Sequence, residues 1–287
     1  MIGIGGGSVM DLAKISSSVK DKYFSNYPKK NIIFKRDCKL ILIPTTAGSG
    51  SEATNFAVLY KRKVKFSLKS NFFLPDKIFC YSSSLKKLNK NNKLCSAIDV
   101  FCQAVESIFS KQSNPRSLIF ASKALKLFKN NIFYYLKNNE KSFKNMFLAA
   151  NYAGKAINIT KTNVPHALSY YLTSKFKLGH GYAVFLNLYG FLSFLYEKKQ
   201  INENYFLKKR FSFLFHIFFL KRVKKFCLYK FIADFDKLIG VRLNYKRFKI
   251  DNYKEVKNIR KQVNFERLKN CPVLINDNDL EDIILYN

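Results

Sequence analysis

The sequence contains no tryptophan and only three histidines, although it has 29 phenylalanines and 17 tyrosines. Its six cysteines stand at positions 38, 80, 95, 102, 227 and 271, and none of them forms a C-x-x-C pair. The missing pair excludes a zinc ribbon and a thiol redox motif. Cysteines spread in this way over 287 residues predict free thiols in a cytoplasmic protein.

Long apolar runs are missing as well. The longest one, Phe211 to Leu220, is interrupted by Ser212 and His216 and is too short to span a bilayer. The first residues lack the basic segment and the cleavage site of a signal peptide. We therefore expect no membrane span and no signal peptide, and we interpret His216 as a core or surface histidine.

Acidic residues are scarce. The 51 lysines and arginines outnumber the 19 aspartates and glutamates, and 51 − 19 gives a formal net charge of +32. A charge of this size raises the hypothesis of a basic protein that binds nucleic acid or an acidic surface. The basic residues are scattered, however, and no nucleic-acid motif accompanies them. Lysine, asparagine, isoleucine, phenylalanine and tyrosine are all used heavily, as is typical of an A/T-rich genome, so we expect no nucleic-acid and no membrane partner.

The apolar pattern changes near residue 81. Before it, short apolar segments separated by turns predict strands and one helix. After it, apolar residues recur three or four apart, which predicts helices. The sequence therefore predicts an α/β nucleotide-binding part over residues 1–81 and an all-helical part over residues 82–287. The segments expected in the first part are a strand at Met1–Ile4, a helix at Ser8–Val19, a strand at Leu40–Ile43, a hairpin of Asn55–Tyr60 and Val64–Leu68, and a strand at Lys77–Tyr81.

A glycine-rich turn joins the first strand to the first helix. Gly5, Gly6 and Gly7 allow a sharp turn and a close backbone approach to a ligand. The N–H groups at the start of the helix favour an anion such as pyrophosphate. Ser8, with Asp11 three residues later, is typical of a capping box. The segment also fits a turn that binds nothing, because its spacing is neither Gly-x-Gly-x-x-Gly nor that of a Walker loop.

A second loop, Pro44 to Thr54, follows the next predicted strand and is rich in hydroxyl groups. Ligands of open α/β sheets bind at the carboxyl ends of the strands. Together the two loops resemble those of the iron-containing (group III) alcohol dehydrogenases, whose motif Gly-Gly-Gly-Ser-x-x-Asp-x-Ala-Lys matches residues 5–14 at every fixed position.

This resemblance implies a Rossmann-like sheet followed by an all-α metal-binding domain, an architecture shared with dehydroquinate synthase. It also implies that the two loops bind NAD or NADP. The cofactor-binding residues would be Gly5, Gly6, Gly7, Ser8 and Asp11 in the first loop and helix, and Thr45, Thr46, Ser49 and Ser51 in the second loop.

The same family holds a divalent metal, Fe²⁺ or Zn²⁺, through one aspartate and three histidines. Asp99 matches the aspartate, and His166 and His180 match two of the histidines. Gln103 stands where most members have the remaining histidine, on the same helix face as Asp99 and Glu106. Gln103 either ligates the metal through its carbonyl oxygen or holds a water molecule or the substrate.

Tyr170 occupies a position where many members carry a proton-relay histidine, but a phenol with an ordinary pKa of about 10 is a poor base at neutral pH. The stretches Asp99–Ser107 and Ala153–Tyr170 are similar to a branch of the family that includes phosphonoacetaldehyde reductases. Lys155 and Lys161 would suit a phosphonate, although we favour their interpretation as solvated surface lysines.

The resemblance implies a metal-dependent, NAD(P)-linked alcohol dehydrogenase or aldehyde reductase that acts on a small aldehyde such as phosphonoacetaldehyde, and a homodimer fits this family. Further βα units precede the glycine loop in the family, so we expect an incomplete sheet and low activity here. The alternatives are an inactive remnant of the same fold, a basic binding protein, and dehydroquinate synthesis as a minor possibility.

Overall fold

The structure is a computed structural model that describes residues 1–19, 34–61, 64–198, 204–219, 228–263 and 265–286. The first part contains β1 (Ile2–Gly5), α1 (Gly7–Ser18), β2 (Ile41–Pro44), β3 (Phe56–Lys61), β4 (Val64–Lys69) and β5 (Lys77–Ile78). The second part contains α2 (Lys90–Ile108), α3 (Pro115–Leu136), α4 (Lys141–Thr160), α5 (Val164–Phe176), α6 (His180–Ser193), α7 (Tyr205–Phe219), α8 (Leu228–Ile239), α9 (Asn252–Lys261), α10 (Phe265–Leu268) and α11 (Asp277–Leu285).

A parallel sheet with the strand order β1-β2-β5 forms the centre of the first part. Leu42 of β2 is fully buried and clusters with Met10 and Ala13 of α1, so the helix covers one face of the sheet. Because β1 and β2 run parallel and in register from Ile2↔Ile41 to Gly5↔Pro44, the two loops that follow them lie side by side. This is the edge of an open α/β sheet at which ligands bind.

The predicted order of strands and helix is confirmed, and the hairpin of β3 and β4 is antiparallel as expected. The last strand is shorter than predicted, since it ends at Ile78 and not at Tyr81. The cysteines at 38, 80, 95, 102 and 271 are free thiols, while position 227 lies outside the described residues.

The predicted capping box is wrong. Helix α1 begins at Gly7 with Gly6 as its N-cap, and no side chain caps it. Asp11 instead contacts the second loop and the hairpin: it accepts hydrogen bonds from Ser51 Oγ at 2.5 Å and from Val58 N at 2.9 Å. These tertiary donors replace the local partner that a capping box requires.

Helix α2 lies in the middle of the second part and packs against α3, α4 and α6. All of its residues from 97 to 108 are buried, and Phe101 packs in tilted contacts with the rings of Phe128, Phe185 and Phe235. A helix buried on every side is normally apolar throughout, so its buried polar residues need specific partners. Among the described helices, none combines the length and the apolar character that crossing a bilayer requires.

The second loop docks on one face of α4. Glu52 accepts a hydrogen bond from Asn151 Nδ2 at 3.3 Å, and Asn158 Oδ1 accepts one from Asn55 N at 2.8 Å. Between these contacts the backbones of Gly50 and Gly154 touch: a Cβ built on Gly154 would lie 2.3 Å from the carbonyl oxygen of Gly50. Gly50 also has a φ of +58°, a conformation that favours glycine.

Lys14 ties this loop to α1. Its side chain is fully buried, and its ammonium donates to Thr54 O at 3.1 Å, to Thr54 Oγ1 at 3.0 Å and to Phe56 O at 3.0 Å. Burial lowers the pKa of Lys14 to about 8, against the opposing effect of Asp11 and Glu52. The three hydrogen bonds use all three donors of the ammonium group, so the loop is held to α1 as well as to α4.

Gly154→Ala should lower the free energy of unfolding by about 1–3 kcal/mol, the usual cost of an added methyl in a packed contact. Alanine is about 1 kcal/mol better than glycine inside a helix, but here the obstacle is backbone and cannot rotate away. Urea denaturation measures the change. The matched control is Gly6→Ala, whose Cβ meets Thr46 Oγ1 at 3.4 Å and should change stability by less than about 0.5 kcal/mol. A more stable Gly154→Ala variant would contradict the close contact.

Candidate active site

A cavity of about 530 Å³ lies between the two parts of the chain. One wall is formed by the two loops of the α/β part, and the opposite wall by α2, the end of α4, α5, the start of α6 and α10. The lining residues that matter for chemistry are Gly7, Ser8, Asp11, Thr46, Ser49, Ser51, Cys95, Asp99, Gln103, His166, Thr173, His180 and Arg267. Six of the nine predicted cofactor residues and all four predicted metal ligands therefore face the same space, while Gly5, Gly6 and Thr45 do not line it.

Asp99 of α2, His166 of α5 and His180 at the start of α6 form a cluster with metal-ligand character. One potential ligand atom of each lies within 4.8 Å of the others, and the two imidazole rings are 5.3 Å apart between centroids. Asp99 and His166 are each only 5% exposed. Three donors from three helices in this arrangement match the one-carboxylate, two-histidine chemistry that binds Fe²⁺ or Zn²⁺.

Gly181 allows this convergence. A Cβ at Gly181 would lie 2.0 Å from the carbonyl oxygen of Cys95 and 3.0 Å from the amide nitrogen of Asp99. The first turn of α6 therefore rests directly on the backbone of α2. Because His180 is the adjacent residue, this contact brings it beside Asp99.

Glu106 holds His166 in place, a role that the sequence did not reveal. Glu106 is fully buried, and its Oε1 accepts hydrogen bonds from the backbone N of Asn163 at 3.0 Å and of His166 at 3.2 Å. Its Oε2 contacts His166 Nδ1. A carboxylate on Nδ1 fixes the ring so that Nε2 points to the cluster, as second carboxylates do in metal sites. The shared face of positions 99 and 106 was a visible signal of this arrangement.

The electrostatics favour an ionised carboxylate in the cluster. Burial raises the pKa of the Asp99 carboxyl, but the neighbouring His166 and His180 lower it by more, so the net shift is downward. For His166, burial lowers the pKa, and the carboxylates of Glu106 and Asp99 outweigh it and raise the pKa. A cation would thus meet an anionic Asp99.

Two buried oxygens beside the cluster make no hydrogen bond in the described part of the chain. They are Asp99 Oδ1, with His166 Nε2 at 3.5 Å, and Gln103 Oε1. Buried oxygens of this kind are costly unless a donor or an ion meets them. The Gln103 amide nitrogen donates to Ser49 O at 3.2 Å, so this residue links α2 to the second loop. The residues present therefore fit a divalent cation, and ligation by Gln103 stays a prediction.

The predicted cofactor residues lie along the opposite wall. Gly7, Ser8, Asp11, Thr46, Ser49 and Ser51 line the cavity, while Gly5 and Thr45 are bonded to each other through Thr45 N and Gly5 O at 3.0 Å. A Cβ on Gly7 would lie 2.8 Å from Ser49 Oγ, and one on Gly6 would lie 3.4 Å from Thr46 Oγ1. The glycine loop and the second loop thus face each other across a narrow gap at the N-terminus of α1.

The other predicted residues lie near the edge of the site or outside it. Tyr170 is half-buried, one turn after His166, with the Arg267 guanidinium carbon 5.9 Å from its ring centroid, and its proton-relay role stays a prediction. Lys155 and Lys161 are exposed and do not line the cavity, as the surface interpretation expects. His216 is exposed on α7.

The chain folds into two parts that meet at the cavity. A glycine loop of the kind that binds phosphate groups faces a cluster of the kind that binds metal ions. Comparison with known families gives the same answer: the model described as iron-containing alcohol dehydrogenase matches residues 1–81, and the model of the C-terminal part of that family matches residues 93–264. The chain belongs to the iron-containing alcohol dehydrogenase family. The predicted family and fold class are thereby confirmed.

Individual relatives agree with this assignment. The 4-hydroxybutyrate dehydrogenase of Clostridium kluyveri is 31% identical over 208 residues, which cover 69% of this chain and 55% of that protein. The phosphonoacetaldehyde reductase of Streptomyces viridochromogenes is 29% identical over 199 residues, 63% of this chain and 49% of its own. The chain thus spans about half the length of these relatives. The structure of a sulfoacetaldehyde reductase from Bifidobacterium kashiwanohense in complex with NAD⁺ superimposes with a TM-score of 0.81 at 26% identity, covering 99% of this chain and 75% of that one.

His180→Ala should abolish stoichiometric binding of Fe²⁺ or Zn²⁺, because it removes one of three converging donors. Glu106→Gln should weaken binding about 10- to 100-fold, the usual effect of losing the carboxylate behind a ligating histidine. Elemental analysis and metal titration measure both changes. His216→Ala removes an exposed histidine and serves as the control. Equal metal content in the wild type and His180→Ala would refute the site.

Proposed function

We propose that this chain is a metal-dependent, nicotinamide-linked oxidoreductase that interconverts a small aldehyde and its alcohol. The observation that carries the proposal is the shared cavity of about 530 Å³, with the nucleotide loops on one wall and Asp99, His166 and His180 on the other. A cofactor on the first wall and a carbonyl held at the cluster would face each other, which is the geometry that hydride transfer needs.

When bound, a divalent ion at the cluster supplies Lewis-acid polarisation of a carbonyl oxygen, and a nicotinamide cofactor supplies or accepts the hydride. The residues of the chain bind and position these groups. The N-terminus of α1 would offer N–H groups to a pyrophosphate, and the hydroxyl groups of Thr46 and Ser49 would be available to the cofactor from the second loop. Glu106 contacts Nδ1 of His166 and so holds the imidazole ring in its orientation. Gly181 holds α6 against α2, which keeps His180 beside Asp99.

The names of three of the relatives support a substrate class, although other relatives act on uncharged alcohols. A 4-hydroxybutyrate dehydrogenase, a phosphonoacetaldehyde reductase and a sulfoacetaldehyde reductase all act on small molecules with an anionic group. We infer that this chain also takes a short anionic aldehyde, with phosphonoacetaldehyde as one candidate, and the NAD⁺ complex of the sulfoacetaldehyde reductase favours NAD over NADP. The choice between Fe²⁺ and Zn²⁺, the homodimer and the cytoplasmic location stay predictions.

Gly6→Val should weaken NADH binding at least tenfold, on the order of the penalty for a side chain placed in an anion-binding backbone turn. The valine would extend from the position where a Cβ already lies 3.4 Å from Thr46 Oγ1, so its methyl groups fill the gap between the two loops. NADH fluorescence measures affinity, and circular dichroism checks that the variant folds. Gly6→Ala should have a smaller effect. Unchanged affinity in Gly6→Val would place the cofactor elsewhere.

The chain should oxidise NADH in the presence of short anionic aldehydes, and a chelator should stop the reaction until Fe²⁺ or Zn²⁺ is restored. Absorbance at the nicotinamide band follows turnover with succinic semialdehyde, phosphonoacetaldehyde and butanal. His180→Ala should show no metal-restored activity. If the wild type binds metal and NADH but turns over no aldehyde, the inactive-remnant alternative is correct and this proposal is wrong.

A further inference from the structure

Arg267 of α10 is the one lysine or arginine among the described residues that line the active-site cavity. It is half-buried, and no carboxylate of the described residues forms an ion pair with it. Other basic side chains nearby are engaged: Lys175 pairs with Glu255 at 2.7 Å, and Arg260 pairs with Glu281 at 2.8 Å. Arg267 therefore brings an uncompensated positive charge to the wall of the cavity.

Helix α5 connects Arg267 with the cluster, because it carries both Tyr170 and His166. The guanidinium carbon of Arg267 lies 5.9 Å from the ring centroid of Tyr170. Tyr170 follows His166 by four residues on the same helix, which corresponds to about 6 Å along the axis. Arg267 therefore lies beside the helix that carries His166, and it lines the same cavity as the cluster. A molecule whose oxygen lies at the cluster would meet Arg267 on another part of the cavity wall.

The chemistry of the guanidinium determines which group of a substrate Arg267 can bind. Its planar fork binds carboxylate, phosphonate or sulfonate oxygens with two parallel hydrogen bonds, and an aromatic ring beside it limits its orientation. The two carboxylates on the cavity wall are otherwise engaged: Asp11 with Ser51 and Val58, and Asp99 in the histidine cluster. An anionic substrate group inside the cavity would find no other lysine or arginine among the described lining residues.

We propose that Arg267 is the specificity-determining residue of the site, and that it binds the anionic end of a short-chain aldehyde or alcohol whose oxygen lies at the cluster. The proposal deepens the function proposed above and rests on it. The net charge of +32 attracts every anion. The contribution of Arg267 must therefore be separated from this general attraction by control variants that remove one positive charge elsewhere on the protein.

The first experiment measures binding without turnover. Calorimetry compares 4-hydroxybutyrate with neutral 1,4-butanediol on the full, metal-loaded chain at about 0.15 M salt, where the screening length is about 8 Å. Arg267→Gln should reduce the preference for the anion about 10- to 100-fold, the range expected for a lost charged hydrogen bond. Lys155→Gln is the charge-matched control, since Lys155 is exposed and outside the cavity. The preference of Arg267→Lys for the anion should lie between those of the wild type and of Arg267→Gln, because lysine keeps the positive charge but lacks the planar fork of donors.

The second experiment measures kcat/KM with NADH for succinic semialdehyde and for butanal. Arg267→Gln should lower the ratio of the two values, mainly through KM for the anionic aldehyde. A preference for the anion that persists in Arg267→Gln, or that falls equally in Lys155→Gln, overturns the proposal, as does a wild type without the preference. Absence of turnover with either aldehyde would instead count against the oxidoreductase function, and the binding data would still decide the role of Arg267.

Discussion

The docking of the second loop on α4 is the contact on which the rest of the site depends. Hydride transfer tolerates little misplacement between cofactor and substrate, yet the groups that would hold them belong to different parts of the chain. The contact of Gly50 with Gly154 sets the separation of the two walls at backbone level. The hydrogen bonds of Glu52 and Asn55 on either side fix the loop along the helix. Since Lys14 binds the same loop to α1, the glycine turn, the loop and α4 are positioned together.

The cluster obtains its rigidity from burial. Helix α2 is enclosed over residues 97–108. Glu106 is therefore cut off from solvent and must find partners inside, while Asp99 reaches only the cavity. Glu106 finds three hydrogen-bond partners at the start of α5, which keeps His166 against Asp99. Sites built in this way on packed helices hold their geometry better than sites on loops. The large aromatic core around Phe101 packs against α2, so it also supports the orientation of Asp99 and Glu106 toward the cluster.

The sequence predicted the architecture well because its signals were local or came from matched motifs. Alternating apolar segments located β1, β2 and the hairpin to within about two residues, and the two histidines at motif positions proved to be neighbours of Asp99. Signals that depend on distant partners were missed. Ser8 and Asp11 form a valid local capping pattern, but Ser51 and Val58, 40 and 47 residues away from Asp11, provide its partners. Arg267 lies far from every other lining residue in sequence, so only the fold reveals its place in the cavity.

The glutamine at position 103 can be understood from the same geometry. A neutral imidazole has one donor and one acceptor at opposite sides of a ring, whereas an amide carries an N–H₂ group and a carbonyl oxygen on one carbon. In this chain the amide nitrogen donates to Ser49 O at 3.2 Å, and Oε1 is buried beside the cluster without a hydrogen bond in the described residues. One side chain thus ties the second loop to α2 through its amide nitrogen and leaves its oxygen without a hydrogen bond in the described residues. Glutamine at position 103 therefore links the two walls of the cavity, and its remaining buried oxygen requires a donor or an ion as a further partner.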